Sequence, residues 1–184
     1  MMREGNGCMV EHGTSFKQLT GVRVLSIRHF AGDSAAKDCT AAVGLQWPTQ
    51  TGRFQEPVQE HGAWLVWRSP QEVLAFARDQ KRLHTLQSAL LPGRFETAAA
   101  WDLSEGMAVF ELQSVMLDEW LARLVDAWSI PTRAGQSSRC RLADVPVLLM
   151  RMDKERVWLA ADKPIAPYVS NWLAYTHQGA ASAR

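Results

Sequence analysis

The sequence predicts an α+β fold, a largely antiparallel sheet with helices on one side. Three observations carry that prediction. Helix-like and strand-like periodicities interleave along the whole chain. Several strand-like segments are separated only by short turns, which points to hairpins rather than parallel crossovers. The chain has 184 residues, 47% hydrophobic and 21% charged, an ordinary composition for a soluble globular domain. At this size one fold buries roughly 70% of the surface of the unfolded chain, so neither a metal nor a disulfide is required to hold it.

Residues 1–18 are polar, contain glycine and show no period, and are read as a flexible N-terminal tail. In VRVLSIRHF (22–30), Val22, Val24, Ser26 and Arg28 alternate with Arg23, Leu25, Ile27 and His29, as in a strand. Gly32-Asp33-Ser34 offers a turn and Ser34 an N-cap for a short helix over 35–45, with Ala35, Cys39, Ala42 and Val43 apolar. A Pro/Gly/Gln-rich loop covers 47–62, and AWLVW (63–67) is a strand. The next segment sends conflicting signals. Ser69-Pro70-Gln71-Glu72 matches a capping box with proline at the first helical position, so local rules favour one long helix from residue 70. VLAFA (73–77) is instead a compact apolar run that suits a strand leaving a tight turn. Residues 78–91 carry a helical stripe at Leu83, Leu86 and Leu90, closed by Pro92-Gly93.

AAAWDLS (98–104) and MAVFELQ (107–113) read as two strands around Glu105-Gly106. Ser114 then caps an amphipathic helix with Leu117, Trp120, Leu121, Leu124 and Trp128 on one face, and Asp118 and Glu119 in the first turn, where the helix dipole favours acids. Pro131 and Gly135 mark a loop. Residues 137–153 form a strand or a bent pair, 155–161 another strand, and Pro164 opens a last helix with Ile165, Val169, Trp172 and Leu173 inward. The folded domain is therefore expected over 19–178, with 179–184 a C-terminal tail. Helices at 35–45 and 115–127 each follow a strand, which suggests two similar halves, although no convincing sequence repeat relates them.

Composition excludes several functions. With 20 basic and 19 acidic residues the net charge is +1, which leaves no electrostatic footprint for nucleic acid or an anionic membrane. The first twenty residues hold no apolar signal core, and VPVLLM (145–150) is too short to cross a bilayer. Three dispersed cysteines (8, 39 and 140) form no CxxC pair, which disfavours a disulfide framework and suits a reducing, cytoplasmic setting. Neither GxGxxG, GxxxxGK[ST] nor GxSxG occurs. The five histidines do not fall in metal-ligand spacing, so no metal is expected. Cys140 lies between Arg139 and Arg141, but on a strand both arginines point to the opposite face, and a structural cysteine is expected. Of the eight tryptophans most should be core, and any remainder are candidates for a permanent interface, where tryptophan is enriched.

No catalytic residue is assigned. Asp102 alone stands out as a possible binding residue: a carboxylate at a strand end either caps the following turn or meets an amine or pterin. Glu105 is expected to be a solvated turn residue.

The order of the pieces adds a further indication. A helix ending in GL.WP, the block WLVWRSPQEVLAFA, a helix, WDLSEGMAVFEL with its amphipathic helix, SRCRLADVPVLLMR and a final PYVSNWL follow one another. This order resembles the gamma subunit of heterotetrameric sarcosine oxidase, a family related to the folate-binding half of glycine-cleavage aminomethyltransferase. The resemblance covers residues from about 20 to about 178 and implies the folate-binding-domain-like version of the α+β fold. It also implies that Ser69–Ala77 is a turn and a strand, so that 64–77 is a hairpin. WDLSEG looks like the family's VDVSDG and the DVSHM of the aminomethyltransferases, which places Asp102 at their folate position. Here Glu105-Gly106 replace His-Met, the loop before 137 lacks the family's usual Cys-Pro, and the chain is too short for the further aminomethyltransferase domains that enclose the pterin. The resemblance thus implies a non-catalytic subunit of a complex that demethylates sarcosine to glycine. FAD, FMN, NAD and tetrahydrofolate would be held by the larger alpha, beta and delta partner subunits, and Asp102 would be a relic. The alternative is a stand-alone small folate-binding or aminomethyl-transfer protein.

Overall fold

The computed structural model describes residues 13–30, 34–48, 52, 63–78 and 80–181, with side chains as far as His177. Residues 1–12 of the expected N-terminal tail, most of the 47–62 loop and residues 182–184 lie outside this set. The described chain forms two antiparallel sheets and four α-helices. β2 (Arg23–His29), β3 (Ala63–Ser69), β4 (Glu72–Ala77) and β5 (Ala98–Asp102) make one sheet in the order β3-β4-β2-β5. With α1 (Ala35–Ala42) after β2 and α2 (Gln80–Ala89) after β4, they compose a split βαβ unit. The second sheet runs β1-β6-β9-β8-β7 and contains β1 (Ser15–Gln18), β6 (Met107–Gln113), β7 (Ser137–Leu142), β8 (Val145–Arg151) and β9 (Arg156–Asp162). α3 (Leu117–Leu121) follows β6, and α4 (Ala166–Ala181) closes the chain. The two halves begin alike but diverge: β7, β8 and β9 pair as a meander with no helix between them.

Alternation along each strand builds four layers. In β2, Leu25 and Ile27 pack with Leu83, Leu86 and Leu90 in the layer beneath α1 and α2, whereas Val24 packs with Trp64, Phe76, Val109 and Trp158 between the sheets. On the far side, Phe110, Leu112, Leu149 and Leu159 meet Trp120, Leu121, Val169 and Leu173 from α3 and α4. Each sheet thus has helices on one face and the other sheet on its second face. Burying one such leucine contributes roughly 1.5–3 kcal/mol, so the three leucines of the α2 stripe, each 0% exposed, are enough to dock that helix.

Residues 63–77 form a hairpin rather than the start of a helix. β3 and β4 pair from Ala63↔Ala77 to Ser69↔Glu72, with a bulge between Trp67 and Ser69. Ser69 still uses its hydroxyl as a local cap, accepting the Gln71 amide at 3.3 Å. A cap stabilises by only about 1 kcal/mol, whereas β4 is central, paired with β2 and β3, with Val73 through Ala77 at most 1% exposed. Tertiary burial outweighs the local signal.

Three expectations need correction. Ser15–Gln18 is not tail but β1, whose Phe16 packs toward Trp120 while Lys17 reaches Glu111; a four-residue edge strand is too short to show a period. The helix expected after Ser114 ends at Leu121, because Arg123 and Leu124 bond back only three residues, to Trp120 and Leu121, tightening the last turn. Trp128 falls in a separate 3₁₀ turn (Ala127–Ser129) preceded by the extended Asp126, and is 86% exposed instead of facing the core. Leu117, Trp120, Leu121 and Leu124 are buried as expected. Ser34 occupies the N-cap position of α1 without a side-chain cap, and Ser114 accepts the Met116 amide at 3.1 Å ahead of α3.

Ala143, in the turn joining β7 to β8, has φ 49°. Its Cβ is crowded there by roughly 1–2 kcal/mol, and glycine would give back about 0.4–1 kcal/mol through greater freedom of the unfolded chain. Ala143→Gly is therefore expected to stabilise by roughly 0.5 kcal/mol, read as a higher midpoint in urea; a lower midpoint would contradict this account.

Candidate functional site

Asp102 is the last residue of β5, at the free edge of the four-stranded sheet, and Met107 opens β6 in the other sheet. The intervening turn therefore carries the chain between sheets and is not a hairpin loop. Its geometry explains the residues. The Leu103 amide donates to Val24 O (2.8 Å), Gly106 N to Leu103 O (2.9 Å) and Lys163 N to Gly106 O (2.8 Å), so both sides of the crossover are tied down. Asp102 Oδ1 accepts the Ser104 amide at 2.9 Å and the Ser104 hydroxyl at 2.5 Å, and Ser104 Oγ in turn accepts the Val24 amide at 3.0 Å. Asp102 Oδ2 accepts the Arg23 guanidinium. Glu105 is almost fully exposed and pairs with Lys163 at 2.7 Å.

Partial burial pushes the Asp102 carboxyl up, but the Ser104 hydroxyl and amide and the Arg23 cation outweigh it and hold the group below the usual carboxylate range. It is ionised at neutral pH, so it is a poor proton donor, and its oxygens are already committed to three donors. What this arrangement does chemically is fix a turn. Arg23 and Ser104, the partners that make it so, were not singled out by sequence; the D-x-S spacing of an Asx-type turn was the available signal. Asp102→Asn keeps the shape but gives up the ion pair, and is expected to lower stability by about 1 kcal/mol in urea titration. A loss well above that would give the residue a larger part than holding the turn.

Among the described residues, two cavities lie away from Asp102, which lines neither. One of about 270 Å³ opens at the ends of β2 and β5, among Arg28, Phe30, Gln71, Phe95 and Trp101. The other, about 130 Å³, sits where the two sheets part, among Arg68, Met107, Arg139, Leu148 and Asp162. Among the described residues no cluster of three or more His, Cys, Asp and Glu is placed to hold a metal ion, and no helix is long and apolar enough to cross a membrane. Cys140 is buried, its neighbours Arg139 and Arg141 face outward, and burial with nearby Asp126 pushes the thiol up to about 12, so it is no thiolate nucleophile.

Charge is instead concentrated at Glu111, in the middle of β6. This carboxylate is 6% exposed, accepts Trp158 Nε1 at 3.1 Å and Lys17 Nζ at 2.9 Å, and forms an ion pair with Arg78 Nη2 at 3.6 Å. Arg78 also lies 5.4 Å over the Trp158 ring, and Trp158 stands 4.7 Å from Trp64. Lys17, Arg78 and Trp158 come from β1, the end of β4 and β9, so the cluster clamps the two sheets. Among the described residues these contacts join strands of both sheets.

The α+β fold, two antiparallel sheets with helices on their outer faces, is shared with proteins of known structure. No family model and no curated protein matches the sequence. Among solved structures, a chain of heterotetrameric sarcosine oxidase from Corynebacterium sp. U-96, in complex with pyrrole 2-carboxylate, superposes with a TM-score of 0.82 at 23% identity, covering 96% of this chain and 90% of that one. Glycine cleavage system aminomethyltransferase T from Bartonella henselae gives 0.59 at 12% identity over 88% of this chain; the match spans 45% of the longer protein. At these identities the shared property is the fold.

Proposed function

We propose that this chain is the non-catalytic, gamma-type subunit of a sarcosine-oxidase-like hetero-oligomer that oxidatively demethylates sarcosine to glycine. The observation that carries the reading is the end-to-end superposition on a chain of that complex, 96% of one chain on 90% of the other. The chemistry of the chain agrees with it. The sequence contains no dinucleotide fingerprint, and the Asp102 carboxylate is spent on Ser104 and Arg23. In this reading FAD, FMN, NAD and tetrahydrofolate belong to the larger alpha, beta and delta subunits, the complex is cytoplasmic, and Asp102 is the relic of a folate position. A lone carboxylate gains little affinity for a pterin unless walls exclude water and fix the ring.

The test is copurification. The chain, expressed with the FAD-containing large subunit, is expected to elute with it as one species, while the chain alone is colourless and does not oxidise sarcosine. Elution apart from the flavoprotein would overturn the subunit reading. Calorimetric titration of the isolated chain with tetrahydrofolate separates the rival: micromolar binding lost in Asp102→Asn would make it a stand-alone folate-binding protein.

A further inference from the structure

We propose that the cavity at the ends of β2 and β5 is where this chain docks its larger partner, receiving a carboxylate-bearing side chain flanked by an apolar one. This rests on the subunit reading above. Three observations place the site. First, Trp101 and Phe30 stand 42% and 60% exposed beside a cavity of about 270 Å³, smaller than a drug-sized pocket and suited to one or two side chains. Second, Arg28 stacks 5.6 Å over the Trp101 ring, which holds its planar fork in place at the cavity. A tryptophan and an arginine beside a concavity are the composition of an interface anchor, unlike the convex aromatic row Tyr168, Trp172 and Tyr175 on α4.

Third, charge complementarity names the occupant. Among the described residues the ion-pair partner of Arg28 is Glu72, at a loose 3.9 Å. Glu72 Oε1 is already held by the Ser26 hydroxyl at 2.5 Å and by Arg68 at 3.2 Å. The Arg28 side chain is 69% exposed and keeps donors for a second, bidentate carboxylate. Phe30, Phe95 and Trp101 supply the apolar walls beside it, and Glu96, which also lines the cavity, is an acid that the guest carboxylate must stand clear of while it meets Arg28.

The experiment measures the affinity of the purified flavin-containing large subunit for the full chain, wild type beside Arg28→Glu, Arg28→Lys, Trp101→Ala and, on α4, Tyr175→Ala. Unchanged melting of each variant establishes that it folds. Arg28→Glu and Trp101→Ala are each expected to weaken binding by about tenfold or more, Arg28→Lys by less, and Tyr175→Ala to leave it within about twofold. Binding of wild type should weaken with salt more steeply than that of Arg28→Glu. Wild-type binding with Arg28→Glu and Trp101→Ala both within about twofold overturns the docking site and leaves the subunit reading standing. A wild-type chain that does not bind the flavoprotein overturns both.

Discussion

Trp158→Ala is expected to lower the unfolding free energy by about 3–5 kcal/mol, the range for emptying a large buried aromatic site. Trp158 is 3% exposed and packs between the sheets against Trp64. It also donates to the buried Glu111 carboxylate. Trp158→Phe separates these contributions in large part: a six-membered ring stays in the site, while the indole N–H is lost together with a smaller share of the ring volume. That variant should cost about 1–3 kcal/mol, the penalty for leaving a buried charged acceptor short of a donor.

A pH dependence accompanies it. Burial pushes the Glu111 carboxyl up, but hydrogen bonds from Lys17 and Trp158 and the charges of Lys17 and Arg78 outweigh this and hold it below its ordinary value. A carboxyl whose folded pKa is depressed contributes stability above its unfolded pKa, and that contribution is lost as pH falls through the folded value. Wild type should therefore weaken below about pH 4.5, where glutamate in an unfolded chain takes up its proton. Trp158→Phe removes one stabilising donor, moves the folded pKa toward the unfolded one and should flatten that acid limb. Urea titrations at several pH values measure both effects; an acid limb equally steep in the two proteins would contradict the Glu111 account.

Arg151→Met should destabilise by about 3 kcal/mol. The Arg151 side chain is 4% exposed, donates to the Asp118 carboxylate, and bonds the carbonyls of Asp153 at 2.7 Å, Pro131 at 3.4 Å and Lys154. Asp118 is more than half exposed and can rehydrate, so the expected loss comes from the three carbonyls at about 1 kcal/mol each. Arg151→Lys should recover only part of it, because an ammonium cannot reproduce the planar fork that reaches them together. Urea midpoints decide; Arg151→Met within about 0.5 kcal/mol of wild type would show that these bonds contribute nothing net.

The crossover at Asp102 illustrates how far local reading reaches. The D-x-S pattern was legible as a turn, and the order of segments was legible as a resemblance to sarcosine oxidase gamma subunits. That the turn joins two different sheets was not, because strand alternation is the same whichever sheet a strand enters. Arg23 precedes Asp102 by 79 positions, and nothing local to either residue marks the pair. Glu111 gave a fainter sign: it shares a strand face with Met107 and Val109, an acid in an apolar row.

By itself the sequence determined the α+β class, the α2 stripe and the strand character of β2, β5, β6, β9 and the 137–153 stretch, whose division into β7 and β8 it left open. Each of these rests on periodicity within a dozen residues, where side-chain direction follows from backbone geometry. Only the tertiary structure decided the division into two facing sheets, the strand β1, the early end of α3, the exposure of Trp128 and the closing of charge around Glu111 and Arg151. Those features depend on which distant surfaces meet, and the free energy of burying a strand between two neighbours exceeds that of any cap or turn signal read along the chain.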